Sequence, residues 1–103
     1  MFTHCVFFWL KEGVTAQERV TFERGLVSLT TIQGVFDATF GVPATTDRPV
    51  IERSYSYGLM VKFDDLANHD AYQVDPIHKA FLKNCSQLWT RVQVYDFVDP
   101  PAP

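Results

Sequence analysis

The sequence is poor in cysteine, in glycine-rich loops, in basic runs and in long apolar stretches. There are two cysteines, Cys5 and Cys85, in no CxxC or zinc-finger spacing. The expected state is a pair of reduced thiols serving as small apolar side chains. No run of Lys or Arg occurs and the net charge is −3, so a nucleic-acid footprint is not expected. The apolar opening "FTHCVFFWL" stops at Lys11, far short of a membrane-spanning helix. It has neither a basic leader nor a small-residue cleavage site, so the expected location is the cytoplasm. No glycine-rich phosphate loop and no GxSxG elbow appears. No nicotinamide, flavin or nucleotide has a visible seat, and no cofactor is expected.

Aromatic side chains are abundant: nine Phe, four Tyr and two Trp in 103 residues. That is more large apolar surface than a small monomer easily hides, and it points to a partner or a ligand cavity. The length fits one domain, residues 1–98, followed by a proline-rich tail at 99–103.

Residues 2–11 read as a strand whose two alternate sets are both apolar: Phe2, His4, Val6, Phe8 and Leu10, against Thr3, Cys5, Phe7 and Trp9. Thr15 and Glu18 form a capping-box pattern that opens a helix over 15–32. Phe22, Leu26, Leu29 and Ile32 share its inner face, with Gly25 placed to admit a neighbouring strand. Gly34 ends it. Strands follow at 35–42 and 57–64, separated by a polar connection, "PATTDRPVIERSYS". A short helix near 65–73, capped by Asp64 or Asp65, precedes a second helical piece at about 76–85 and a last strand at 88–98. The order is strand, helix, strand, strand, helix, strand. This is an α+β, ferredoxin-like βαββαβ plan: an antiparallel sheet with its helices on one face. Since the first strand is apolar on both faces, the face away from the helices must meet something. A second copy of the chain, giving a homodimer with sheets face to face, is expected.

The stretch "AYQVDPIHKAF" interrupts the second crossover helix. Asp75 is a good N-cap and Pro76 a good first helical residue, which makes His78 the third. On a helical wheel His78 falls within the arc of Phe81, Cys85 and Leu82, opposite Lys79 and Lys83. Burial and the positive helix end both favour a neutral imidazole, the form a general base needs. Tyr72, one turn before the break, can supply a hydroxyl to the same space. His4 is a second inward histidine, whereas His69, beside Asp70, is expected in solvent. His4, Asp75 and His78 are suitable ligand types, but without local ligand spacing no metal is expected.

With these residues placed, "THCVFFWLKEGVT", "YSYGLMVKFDDLANHDAYQVDPIHKAF" and "LWTRVQVYDF" resemble a stress-responsive dimeric α+β barrel (Dabb) domain over nearly the whole chain. The resemblance implies the ferredoxin-like fold and a homodimer whose paired sheets make a barrel. Most members of that family have no assigned reaction, and some are associated with stress responses. One enzymatic member closes a polyketide by aldol chemistry, using a Tyr-His pair in a pocket between sheet and helices with histidines from the first and third strands nearby. Carried over, the pair falls on Tyr72 and His78 and the first-strand histidine on His4. The third-strand position is Tyr57 here, and Asp75 stands where many relatives carry a further histidine.

The expected function is binding or transformation of a small, partly apolar carbonyl compound without a cofactor. His78 is the base, Tyr72 the hydroxyl partner, and His4 and Tyr57 orient the ligand. If the chain is an enzyme, the activity is cyclase- or lyase-like. The alternatives are a non-catalytic, stress-related dimer or oligomer, and a cofactor-free or haem-linked monooxygenase on the same barrel plan, which rests on fold analogy alone.

Overall fold

The computed structural model describes all 103 residues. The alternating opening segment forms β1 (Phe2–Leu10), and Gly13, with φ +79°, turns the chain towards α1 (Ala16–Leu29). The capping box is present as a reciprocal pair. The Glu18 N–H donates to Thr15 Oγ1 at 3.0 Å, and the Thr15 N–H donates to Glu18 Oε1 at 3.0 Å. Past α1, Gly34 takes φ +94°, which a side chain would resist, and the chain reverses into β2 (Val35–Gly41). β3 (Tyr57–Phe63) follows the long connection, then α2 (Leu66–Val74), α3 (Pro76–Cys85), a 3₁₀ turn at Ser86–Leu88 and β4 (Trp89–Val98). Asp65, rather than Asp64, caps α2, accepting from the Asn68 N–H.

The four strands make one antiparallel sheet in the order β2-β3-β1-β4, with β1 in the middle. This is the expected ferredoxin-like α+β plan. The register opposes His4 to Val61 on one side and to Asp96 on the other. Phe2, Val6 and Phe8 of β1 join Leu59, Val61 and Phe63 of β3, Phe22, Leu26 and Leu29 of α1, and Phe81 of α3 in one buried core.

Gly25 serves a different purpose from the one expected. A Cβ there would stand 2.8 Å from Phe81 Cδ1 and 2.9 Å from Cys85 Sγ, so the missing side chain admits α3 rather than a strand. Cys5 is half-buried on the outer face of β1, whereas Cys85 is buried at the C-terminal end of α3, and both are free thiols.

The long connection is tied down at its C-terminal end. The Ser56 N–H donates to the Phe8 carbonyl at 2.7 Å, the Leu10 N–H donates to Ser56 Oγ at 2.9 Å, and Trp9 Nε1 donates to Ser54 Oγ at 2.9 Å. Tyr55 is thereby laid against Phe7, with ring centroids 4.9 Å apart. On the outer sheet face Phe7, Trp9, Tyr55, Arg91, Gln93 and Tyr95 surround a concavity of about 320 Å³. Tyr95 and Phe97 on that face are each 58% exposed.

Candidate functional site

The helix break is built from local chemistry. Asp75 adopts an extended conformation (φ −63°, ψ 142°) as proline requires of its neighbour, and its carboxylate accepts the Ile77 N–H at 2.8 Å. α2 ends there and α3 restarts with Pro76 in its first turn. The restart turns His78 inward, and its ring meets Tyr72 edge-on at a centroid distance of 5.0 Å. Both residues line a cavity of about 160 Å³ between α3 and the inner face of β1 and β4. His4, Val6, Phe8, Leu82, Val92 and Val94 complete most of its wall. On the inner face of β4, Val92 and Val94 remain 43% and 42% exposed, so the cavity opens along that edge.

The electrostatics favour uncharged groups. Burial pushes the His78 pKa below the ordinary imidazole value, His4 and His69 add to the shift, and the Asp75 carboxylate opposes it without prevailing. His78 Nδ1 is buried and has no hydrogen-bond partner. Burial alone raises the Tyr72 hydroxyl far above the ordinary phenol value, so it is a neutral donor at any physiological pH. His4 is also held low, chiefly by burial, although its Nδ1 is 2.5 Å from Asp96 Oδ1. Asp96 is 38% exposed, so water screens its charge and burial of the ring prevails.

Two expected placements need correction. Tyr57 does not reach the cavity. Its ring packs against Phe22 at 5.1 Å, its hydroxyl donates to Glu23 Oε2 at 2.5 Å, and it accepts from Arg19 at 3.4 Å. Burial and the Glu23 bond raise its pKa. Its hydroxyl is engaged by Glu23 and Arg19 of α1, and Tyr57 is not among the residues that line this cavity. Conversely, His69 is not in solvent: its side chain is 13% exposed, with its ring 4.5 Å from Phe2 and 5.1 Å from His4. The signal was available, because His69 precedes buried Tyr72 by three residues and so shares its helix face.

Asp96 has the least sequence signal of the residues around His4. Strand alternation with Val92, Val94 and Val98 puts it on the inner face, but only the register sets it opposite His4. His4, His69 and Asp96 each offer a donor atom within 4.8 Å of the others. Asp75, the carboxylate that the sequence offered beside His4 and His78, is occupied by the cap of α3.

Solved structures with the same arrangement include a Dabb family protein with a ferredoxin-like fold from Mesorhizobium loti MAFF303099, 24% identical, covering 97% of each chain with a TM-score of 0.78. A dimeric ferredoxin-like protein of unknown function from Thermobifida fusca YX is 21% identical over 93% of this chain and 88% of that one, with a TM-score of 0.76. A hydroxynitrile lyase from Passiflora edulis is 16% identical over 99% of this chain and 96% of that one, with a TM-score of 0.78. No curated protein sequence matches the chain. No helix is long and apolar enough to cross a membrane. The model of the stress responsive A/B barrel domain matches residues 2–99, and with the sheet order and helix layer described above, the chain belongs to this Dabb family.

Proposed function

We propose that the chain binds and transforms a small, partly apolar carbonyl compound in the cavity between α3 and β4, without a cofactor. The observation that carries this reading is His78: its ring lines an open cavity beside a buried phenol, and its Nδ1 is buried without a hydrogen-bond partner. An unsatisfied buried polar atom costs about 1–3 kcal/mol, which a ligand hydrogen bond there would offset. The cavity is apolar apart from a few polar groups, as small-molecule sites tend to be. Its volume of about 160 Å³ suits a compound near the size of one six-membered ring. A longer ligand would project past Leu82 and Val92 along the open edge.

In this reading neutral His78 takes a proton from a carbon or hydroxyl next to the carbonyl, and the Tyr72 hydroxyl donates to the oxygen on which charge develops. His4 lines the same wall and orients the ligand; Tyr57 has no part in it. The fold also carries small-molecule chemistry in the Passiflora hydroxynitrile lyase. The test is ligand-observed NMR with a panel of small aldehydes and ketones, followed by turnover assays on the binders. Binding by the parent chain that is lost in Tyr72→Phe and His78→Ala supports the reading. A panel that binds the variants equally well overturns it. Binding that needs both residues but gives no product leaves a ligand carrier in place of an enzyme.

We further infer that the chain pairs with itself through the sheet face away from the helices. Exposed Tyr95 and Phe97 on that face, with Phe7, Trp9 and Tyr55 beside them, support this, as does the description of similar folds as dimeric.

A further inference from the structure

We propose that His4, His69 and Asp96 form a binding site for one divalent transition-metal ion, zinc-like in its preferences. Two imidazoles and a carboxylate, each with a donor atom within 4.8 Å of the other two, come together from β1, α2 and β4. The chain has three histidines, and two of them meet here. Two nitrogens and one oxygen suit Zn²⁺, Co²⁺, Ni²⁺ or Fe²⁺ better than Mg²⁺ or Ca²⁺, which prefer all-oxygen shells. Three protein ligands leave a coordination position for water or an incoming molecule.

The surroundings also fit ligation. His69 Nδ1 is 3.0 Å from Asp70 Oδ1, and a carboxylate only accepts, so the hydrogen is on Nδ1 and the lone pair on Nε2, where the Gln73 amide now faces it at 3.4 Å and an ion would displace that long contact. A carboxylate behind the far nitrogen of a histidine is the usual device for orienting a metal ligand. His4 is held between β3 and β4 and is 5% exposed, so its ring is fixed by packing. Asp96 is the movable member, on an edge strand with its side chain 38% exposed.

The distances allow entry. Ligands about 2.1 Å from a tetrahedral ion stand about 3.4 Å apart. His4 Nδ1 and Asp96 Oδ1 are now 2.5 Å apart, so the exposed carboxylate must retreat by about 1 Å. The ion replaces the hydrogen that bridges the two, and the displaced proton moves to Nε2, so the His4 ring stays neutral. Because His4 also lines the cavity of His78 and Tyr72, the ion adjoins that cavity. The cation site does not depend on the carbonyl reading, in which His78 and Tyr72 move protons with no metal.

The test uses the full chain, stripped with a chelator and titrated with Zn²⁺ by calorimetry and with Co²⁺ by visible absorption. The parent chain is expected to bind one ion per chain with Co²⁺ d–d bands and without the near-ultraviolet band of a thiolate ligand. His69→Ala, which removes a ring packed on Phe2, and Asp96→Asn, an isosteric change at a partly exposed side chain that leaves the packing intact, are each expected to weaken binding at least about tenfold. Mg²⁺ is expected not to compete. Absence of Co²⁺ bands, a thiolate band from Cys5 or Cys85, or unchanged affinity in either variant overturns the proposal.

Discussion

At the scale of single residues, the protonation of His78 has consequences for both stability and chemistry. Burial holds His78 and His4 below the ordinary imidazole value of 6.5. In the unfolded chain the same rings take up protons near that value, so below it the unfolded state binds more protons than the folded one. Their contribution to stability is therefore complete above pH 6.5 and is lost as the pH falls through the folded values. The melting temperature is expected to be lower at about pH 5 than at about pH 7.5, and His78→Gln is expected to narrow that gap; a pH series of thermal melts measures both. The same depression keeps His78 neutral at pH values where a free imidazole is charged, as the proposed role of base requires. If turnover is found, Tyr72→Phe and His78→Ala are each expected to lower kcat/KM by about 10²–10⁴-fold. Circular dichroism melts of the Tyr72→Phe chain should stay close to the parent, because that change removes only an oxygen whose pKa shift owes nothing to a hydrogen bond.

At the scale of elements, the contact between α1 and α3 is the most sensitive packing detail. Gly25→Ala puts a methyl group within 2.9 Å of atoms of two buried side chains, Phe81 and Cys85. Overpacking of this kind costs about 1–3 kcal/mol, and the gain in helix propensity of about 1 kcal/mol offsets only part of it. A melting temperature lower by several degrees is expected from chemical and thermal denaturation. Thr15→Ala removes the capping box and is expected to cost about 0.5–2 kcal/mol, without touching the cavity. These two substitutions differ in legibility. The cap was readable because its partners are three residues apart. The purpose of Gly25 was not, because its neighbours Phe81 and Cys85 come from a helix more than fifty residues away along the chain.

At the scale of the whole molecule, a four-stranded sheet with helices on one side leaves its other side without a layer. The outer set of β1 is apolar, yet Cys5, Phe7 and Trp9 are only half-buried in a single chain. The proposed pairing through this face would account for both sets of the strand being apolar. Sedimentation at micromolar concentration is expected to give twice the chain's 11.8 kDa. Tyr95→Lys, on the edge strand and 58% exposed in the single chain, is expected to shift that equilibrium towards the monomer while leaving the far-ultraviolet spectrum unchanged.

The sequence by itself determined the elements, their order and the helix break. Alternation, capping and proline chemistry act over a few residues, and the strand–helix order admits few antiparallel arrangements. It also placed Tyr72, His78 and His4 inward, since each follows from the phase of its own element. Only the tertiary structure decided which of these groups meet. Tyr57 and Leu59 are alternate inward positions on β3, yet α1 captures the Tyr57 hydroxyl while Leu59 lines the cavity. Asp96 joins His4 through the β1–β4 register, and His69 joins them because α2 packs its Tyr72 face against the sheet. Register and helix docking are set by the whole core at once, and no local pattern carries that information.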